Sequence, residues 1–247
     1  MLQVKNLTKK YQKFLALNNI NFTFKKGEIL GLVGDNGAGK TTLINCILGN
    51  VKTTSGQIFL NKIEIEKNHK DCLKIIFIPD LMGMTIDLTI KEYVSYLAIL
   101  KKEDKKKALT KLTMALNELG FEKDLANKKN SNLSAGQKKK AFCAMLLSLS
   151  LDLLILDELT ANLDVKTKEE FIEIIKLLNS KGVTILITSH IIEELQQIIN
   201  HLVIINNKKI VYDQKFDKNK QTIKTIYDQF VERKIQDLNK IKDIISF

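Results

Sequence analysis

The chain has 247 residues, 45% of them hydrophobic, and a formal net charge of +11, which suits one large α/β domain or two small ones around a real core and excludes a disordered chain. Its three cysteines, Cys46, Cys72 and Cys143, are odd in number and lack metal-ligand spacing, so neither a disulfide framework nor a zinc site is expected. Of 39 basic residues only Arg233 is arginine; the charge reads as compositional bias rather than a set of phosphate forks, and no specific nucleic acid is expected as a partner.

Met1–Asn6 carries no apolar signal region, and no run reaches about 18 uninterrupted apolar residues, so the sequence reads as neither exported nor membrane-spanning. Leu2–Leu7 and Ile20–Phe24 alternate apolar with polar residues, as half-buried antiparallel strands do. Tyr11 stands between them, ahead of a glycine-rich loop; it either stacks on an adenine face or packs on the strand edge. Ile29–Val33 is the central strand.

Gly34-Asp35-Asn36-Gly37-Ala38-Gly39-Lys40-Thr41-Thr42 follows it and matches G-x-x-x-x-G-K-[ST] at every fixed position, with a helix expected over Leu43–Leu48. Glycines let successive backbone N–H groups converge on anionic oxygens. Lys40 is placed for the β- and γ-phosphates and the Thr41 hydroxyl for Mg²⁺, at a helix N-terminus that favours negative charge. The alternative is a glycine-rich turn that binds nothing, but the flanking strand and helix are the context the motif requires.

Gln57–Leu60 returns as a strand after the turn Thr53-Thr54-Ser55-Gly56, and Leu73–Ile78 is a further apolar-rich strand. Asp80 follows it, at a strand terminus where α/β sheets hold ligands. Thr89-Ile90-Lys91-Glu92 is a capping-box pattern that starts a helix to about Leu100, and a second helix covers about Asp104–Leu119 and stops at Gly120. Lys101–Lys107 between them is a solvated helix junction. The span from 81 to about 148 lacks strands and reads as a helical insertion.

Leu133-Ser134-Ala135-Gly136-Gln137 begins another helix, over Lys138–Leu149, with an N-terminus suited to an anion. Twenty residues after Gln137 comes Asp157, with Glu158, at the tip of the strand Leu153–Glu158. Two adjacent carboxylates there are costly unless paired, and a metal would pair them. Asp157 can hold the Mg²⁺ shell, and Glu158 can orient or deprotonate an attacking water. Asn162-Leu163-Asp164 opens the next loop, Lys166–Leu178 forms an amphipathic helix, and the strand Val183–Ile187 ends at Thr188-Ser189-His190, on the ligand side.

In this order, Gly34–Thr41, the LSAGQ of Leu133–Gln137, the hydrophobic strand ending in Asp157-Glu158, the ANLD of Ala161–Asp164, and His190 resemble the nucleotide-binding subunit of ATP-binding cassette (ABC) transporters over about residues 1 to 215. The resemblance implies an α/β fold: a P-loop NTPase core with a mostly parallel sheet, an N-terminal antiparallel β subdomain and a helical insertion subdomain. The expected divisions are core and β subdomain over 1–80 and 149–215, helical insertion over 81–148, and a helical tail over 216–247.

It also implies site roles. Gly34, Asn36, Gly37, Ala38, Gly39, Lys40, Thr41 and Thr42 would cradle the phosphates of ATP, Thr41 and Asp157 would serve Mg²⁺, Glu158 would polarise water, His190 would stabilise the γ-phosphate, and Tyr11 would stack on adenine. Ser134 and Gly136 would act in trans on ATP held by a second, identical or different, ABC subunit, with Asp164 communicating across the joint.

The chain departs from the family pattern at three positions. Asp80 stands where many relatives carry Gln and would reach Mg²⁺ through water; Leu159 replaces a proline and Ala135 a glycine. The segment 80–93 is closest to the drug and peptide exporter branch. Tyr227–Val231 either packs back on the core or frays. The implied function is an ATPase at the cytoplasmic face of the cell membrane, attached through an integral membrane permease and exporting a drug, peptide or lipid-like substrate. Set beside it are a soluble cassette ATPase acting on ribosomes or nucleic acid and a non-catalytic regulatory cassette. The first usually carries two cassettes or a long coiled-coil insertion, neither of which occurs here, and Lys40, Asp157, Glu158 and His190 weigh against the second.

Overall fold

The N-terminal alternation becomes a hairpin. In the computed structural model, which describes residues 1–65, 75–78, 87–120, 126–157, 165–189 and 192–231, β1 (Leu2–Tyr11) pairs antiparallel with β2 (Phe14–Phe24) from the Leu2–Phe24 end to Tyr11–Phe14. Both strands are longer than their alternation predicts. Register shifts between Val4 and Leu7, Leu7 and Lys9, and Lys9 and Lys10 break the period of two, so Lys9–Tyr11 pair without an alternating signature. On its other edge β1 pairs with β4 (Ser55–Leu60), and β4 with the short β5 (Ile63–Glu64), completing a four-stranded sheet in the order β2-β1-β4-β5.

The second sheet has the order β10-β9-β3-β8-β7-β6. Strands β3 (Ile29–Val33), β6 (Ile75–Ile78), β7 (Leu153–Asp157), β8 (Thr184–Thr188) and β9 (His201–Asn206) run parallel, and β10 (Lys209–Lys215) returns antiparallel to β9. Its apolar runs have a direct cause, because successive side chains of a strand point to opposite faces and both faces here are covered. Leu30 and Leu32 of β3, Leu153 and Ile155 of β7, and Val203 and Ile205 of β9 enter a core shared with the antiparallel sheet and α1 (Lys40–Ile47). Ile29 and Val33, Leu154 and Leu156, and Leu202 and Ile204 enter a second core, under the remaining helices.

Three of those helices fall between β6 and β7 in sequence, where a strand-free insertion is expected. Helix α2 (Ile90–Leu100) opens on the capping box: the Glu92 N–H donates to Thr89 Oγ1 at 3.2 Å, and the Thr89 N–H to Glu92 Oε2 at 2.8 Å. Helix α3 (Lys105–Glu118) is capped by Asp104, which accepts from the N–H groups of Lys106 and Lys107. Helix α4 (Ala135–Ser148) completes the group. Then come α5 (Val165–Ser180), α6 (Ile192–Ile198) and α7 (Ile223–Phe230). Of the two expectations for Tyr227–Val231 the packed one holds for Tyr227 and Val231, which are buried together with Ile223 and Ile226. Among the described residues no helix is long and apolar enough to cross a membrane.

A charge cluster around the buried His201 ties β9 to its neighbours. His201 lies between Glu28 (Nδ1 to Oε2, 3.1 Å) and Asp213 of β10 (Nε2 to Oδ1, 2.6 Å). Burial alone would lower its pKa, but hydrogen bonds to Asp213 and Glu28, reinforced by their charges, outweigh it and raise the value above 6.5. Burial works against ionised Glu28 too, yet the Lys25 backbone and His201 bring it below 4.5. The cluster's histidine part is therefore complete below pH 6.5 and fades as pH rises through the raised folded value; its Glu28 part is present above pH 4.5 and fades below. His201→Gln is expected to cost about 1.5–3 kcal/mol near pH 6 and to flatten the stability loss above that pH. Denaturant midpoints measured across pH that coincide for variant and parent would contradict this.

Candidate functional site

The chain leaves β3 into the loop 34–39 under tight constraint. A Cβ on Gly34 would lie 2.3 Å from the Ile205 carbonyl oxygen in β9, and one on Gly39 (φ 114°) 2.8 Å from the Ala16 carbonyl oxygen in β2. Only glycine fits either contact. Ala38 is buried and its N–H closes the turn onto the Asp35 carbonyl at 3.1 Å.

Lys40 opens α1 and is itself buried, its ammonium donating to the carbonyls of Gly34 (2.7 Å) and Asp35 (3.2 Å). Gly39 caps the helix without a side chain, and the Leu43 N–H already bonds to the Gly39 carbonyl at 2.9 Å. The backbone N–H groups ahead of Leu43 thus belong to the unpaired first turn, where the helix dipole favours an anion. A cavity of about 220 Å³ lies against them, lined by Phe14, Ala16, Asn36, Gly37, Gly39, Lys40, Thr41 and Thr42. Six residues expected to cradle phosphate line it together, while Gly34 and Ala38 shape the loop behind.

Tyr11 does not line this cavity. It ends β1, 43% exposed, with the Lys9 ammonium 4.7 Å from its ring centroid. Its cross-strand partner Phe14 does line it, with the Lys208 ammonium 4.3 Å from that ring. Phe14 carries the same signal as Tyr11, an aromatic ahead of the glycine-rich loop, and it reaches the cavity through the hairpin pairing.

Asp157 ends β7 in register with Thr188 of β8, whose hydroxyl donates to the Asp157 carboxylate. Thr188 in turn pairs with Leu32 of β3, one residue before the strand's end. The carboxylate and the loop therefore emerge at the same sheet edge, two strand spacings or roughly 10 Å apart. The Asp157 carboxylate and the Thr41 hydroxyl are hard oxygen donors, the kind Mg²⁺ takes one or two at a time beside phosphate oxygens and water. Asp80, Glu158, Asp164 and His190 lie outside the described residues; in sequence Glu158 directly follows β7, and His190 comes two residues after β8.

Ser134 is the N-cap of α4 in a second capping box: the Gln137 N–H donates to its hydroxyl (3.3 Å), and its own N–H to the Gln137 side chain (2.9 Å). Ser134 and Gly136 are exposed, and neither lines the cavity. A Cβ on Gly136 would meet nothing within 4 Å. Neither a close contact nor a left-handed backbone therefore calls for glycine at this position.

A family model described as "ABC transporter" matches residues 17–161. The bacitracin transport ATP-binding protein BcrA of Bacillus licheniformis is 33% identical over 242 residues, 97% of this chain and 76% of that protein. The zinc import ATP-binding protein ZnuC of Rickettsia conorii is 34% identical over 196 residues, 77% of this chain and 76% of that one. The dimeric structure of a bacterial ABC transporter cassette superposes with a TM-score of 0.75 at 27% identity, covering 88% of this chain and 99% of its own. The post-hydrolysis state of that cassette, bound to ADP and Pi, gives 0.74 at 27% identity over 88% and 99%.

Lys40→Met keeps the aliphatic stem and removes the charge. It is expected to weaken binding of ATP by about tenfold or more, the effect of losing a charge-assisted contact to phosphate, with the far-ultraviolet circular dichroism unchanged. Equal affinity in equilibrium titrations would remove Lys40 from the site.

Proposed function

This chain belongs to the ABC transporter family, and we propose that two such ATP-binding subunits close on ATP and, by hydrolysing it, drive a separate membrane permease. The observation carrying this reading is that one chain holds two unlike half-sites. Among the described residues the phosphate cavity is lined by residues between 14 and 42, while Ser134 and Gly136 stand exposed elsewhere, with open space at a glycine the fold does not need. A second subunit would bring its Ser134 and Gly136 onto the γ-phosphate, the α4 N-terminus adding a favourable dipole. The dimeric cassette structure supports the pairing of two subunits.

Within the site Lys40 and the N–H groups of Gly37–Thr41 bind and orient the phosphate chain and Tyr11 stacks on adenine beside Phe14. Thr41, Asp157 and Asp80 would serve Mg²⁺, which when bound would supply positive charge against the phosphates. Thr188 keeps the Asp157 carboxylate aimed at that edge. Glu158 orients the attacking water and accepts its proton, His190 stabilises the γ-phosphate, and Asp164 couples the two subunits. Binding energy from the second subunit closes the joint, and hydrolysis weakens it, so the permease alternates between states that the nucleotide biases.

The core and β subdomain would take 1–80 and 149–215, the helical insertion 81–148 and the tail 216–247. Helices within 81 to 130 form the permease docking surface, a reading supported by the exposed side chains of Tyr96, Ile99 and Met114 on α2 and α3. The assembly would sit at the cytoplasmic face of the cell membrane. For the substrate we propose export of a drug, peptide or lipid-like molecule. Supporting it is the segment 80–93; the likeness to a bacitracin transport protein runs along nearly the whole chain, as does that to a methionine import protein at 32% identity over 91% of the chain.

Glu158→Gln is expected to retain ATP binding and lose hydrolysis by about 10²-fold or more, as removal of a positioned base does. It should accumulate as an ATP-bound dimer in size-exclusion chromatography, and undiminished turnover would take Glu158 out of the mechanism. Asp80→Gln should preserve or raise ATPase activity; a collapse would show that the acidic group has a task of its own.

A further inference from the structure

Helix α7 is held at both ends. The Ile223 N–H donates to the Gln196 side chain of α6 at 3.0 Å, and the Phe230 ring lies 5.3 Å from Tyr212 of β10, tilted by 56°. Between these ties Tyr227 is buried with its hydroxyl donating to Asp35 Oδ1 at 2.5 Å, a contact across 192 residues. Asp35 is the second residue of the phosphate loop. Its backbone carbonyl accepts both the Ala38 N–H and the Lys40 ammonium, and it is absent from the cavity lining.

These contacts give Asp35 opposed demands. Its carbonyl must stay on the lysine that meets the phosphates, yet its carboxylate is the one anionic group in a loop built to receive a polyanion. Like charges repel more steeply as they approach and as water is excluded between them. A side chain free to rotate toward the cavity would oppose phosphate binding. Packing of the ring on the core asks only for phenylalanine; the hydroxyl is what reaches the loop.

We propose that Tyr227 is a positioning residue for the phosphate site: it holds the Asp35 carboxylate on the α7 side, away from the phosphate oxygens, and thereby makes nucleotide affinity depend on the C-terminal helix. The proposal rests on the cavity being the ATP site, so Lys40→Met is carried through the same experiment.

The test is equilibrium binding of MgATP to the full chain in the parent, Tyr227→Phe, Asp35→Asn and the double variant. Tyr227→Phe should weaken binding by about 3- to 10-fold, the range of a single hydrogen bond. Adding Asp35→Asn should bring affinity back to within about twofold of the parent, because the repelling charge is gone. A packing role alone would show no such rescue. Unchanged affinity in Tyr227→Phe, or a double variant as weak as the single one, overturns the proposal.

Should Tyr227→Phe fail to fold, Asp35→Glu in the parent background decides. It keeps the charge, moves the carboxylate one methylene past the hydroxyl and should weaken binding, and an unchanged affinity there also overturns the proposal. A parent that binds ATP no better than Lys40→Met would instead overturn the cavity reading and the proposal with it.

Discussion

The carbonyl oxygen of Ile205 stands 2.3 Å from the point a Cβ on Gly34 would occupy, and that contact fixes how the chain leaves β3. The loop is pressed between β9 on one side and, through Gly39, the β2 backbone of the antiparallel sheet on the other. Because both walls are backbone in sheets buried on their inner faces, neither gives way. The squeeze turns α1 so that its first-turn N–H groups meet the cavity, and it sets the Gly34 and Asp35 carbonyls where Lys40 can reach them. The same sheet, through the register Leu32–Thr188–Asp157, brings a carboxylate to the loop's end of the strands. Position in this site is a matter of strand order more than of any single strong bond.

Much of the architecture could be read from the residues because local chemistry and global burial agree here. Thr89 and Glu92 are three apart for a capping box and form one, Asp104 and Gly120 bracket α3, and apolar runs such as Leu153–Leu156 are runs because two cores compete for alternate side chains. Reading failed where pairing is non-local. Lys9–Tyr11 pair through bulges that erase the alternation. β9 begins with His201, whose burial depends on Glu28 and Asp213 from elsewhere in the chain. No window of sequence around residue 201 holds that information.

The site divides along the same line. The glycines, Lys40 and Thr41 are legible because a phosphate loop is contiguous, and Ser134 because its cap partner is three residues away. An aromatic ahead of the loop does not by itself separate Tyr11 from Phe14, since the hairpin decides which reaches the cavity, and Tyr227 is legible as a packing candidate but not as a partner of Asp35. Fold and chemistry thus share their blind spot, contacts made by tertiary pairing.

The ammonium of Lys40 already rests on two loop carbonyls in a buried position. A long lysine side chain gives up about 1.5–2 kcal/mol of rotamer freedom when it is fixed, and here that ordering accompanies folding rather than ligand arrival. The cation is pre-organised, so in the role proposed for Lys40 a phosphate that displaced one carbonyl contact would meet a charge with no further side-chain entropy to lose. The loop's carbonyls thus set the lysine's position as part of the fold, independently of any ligand.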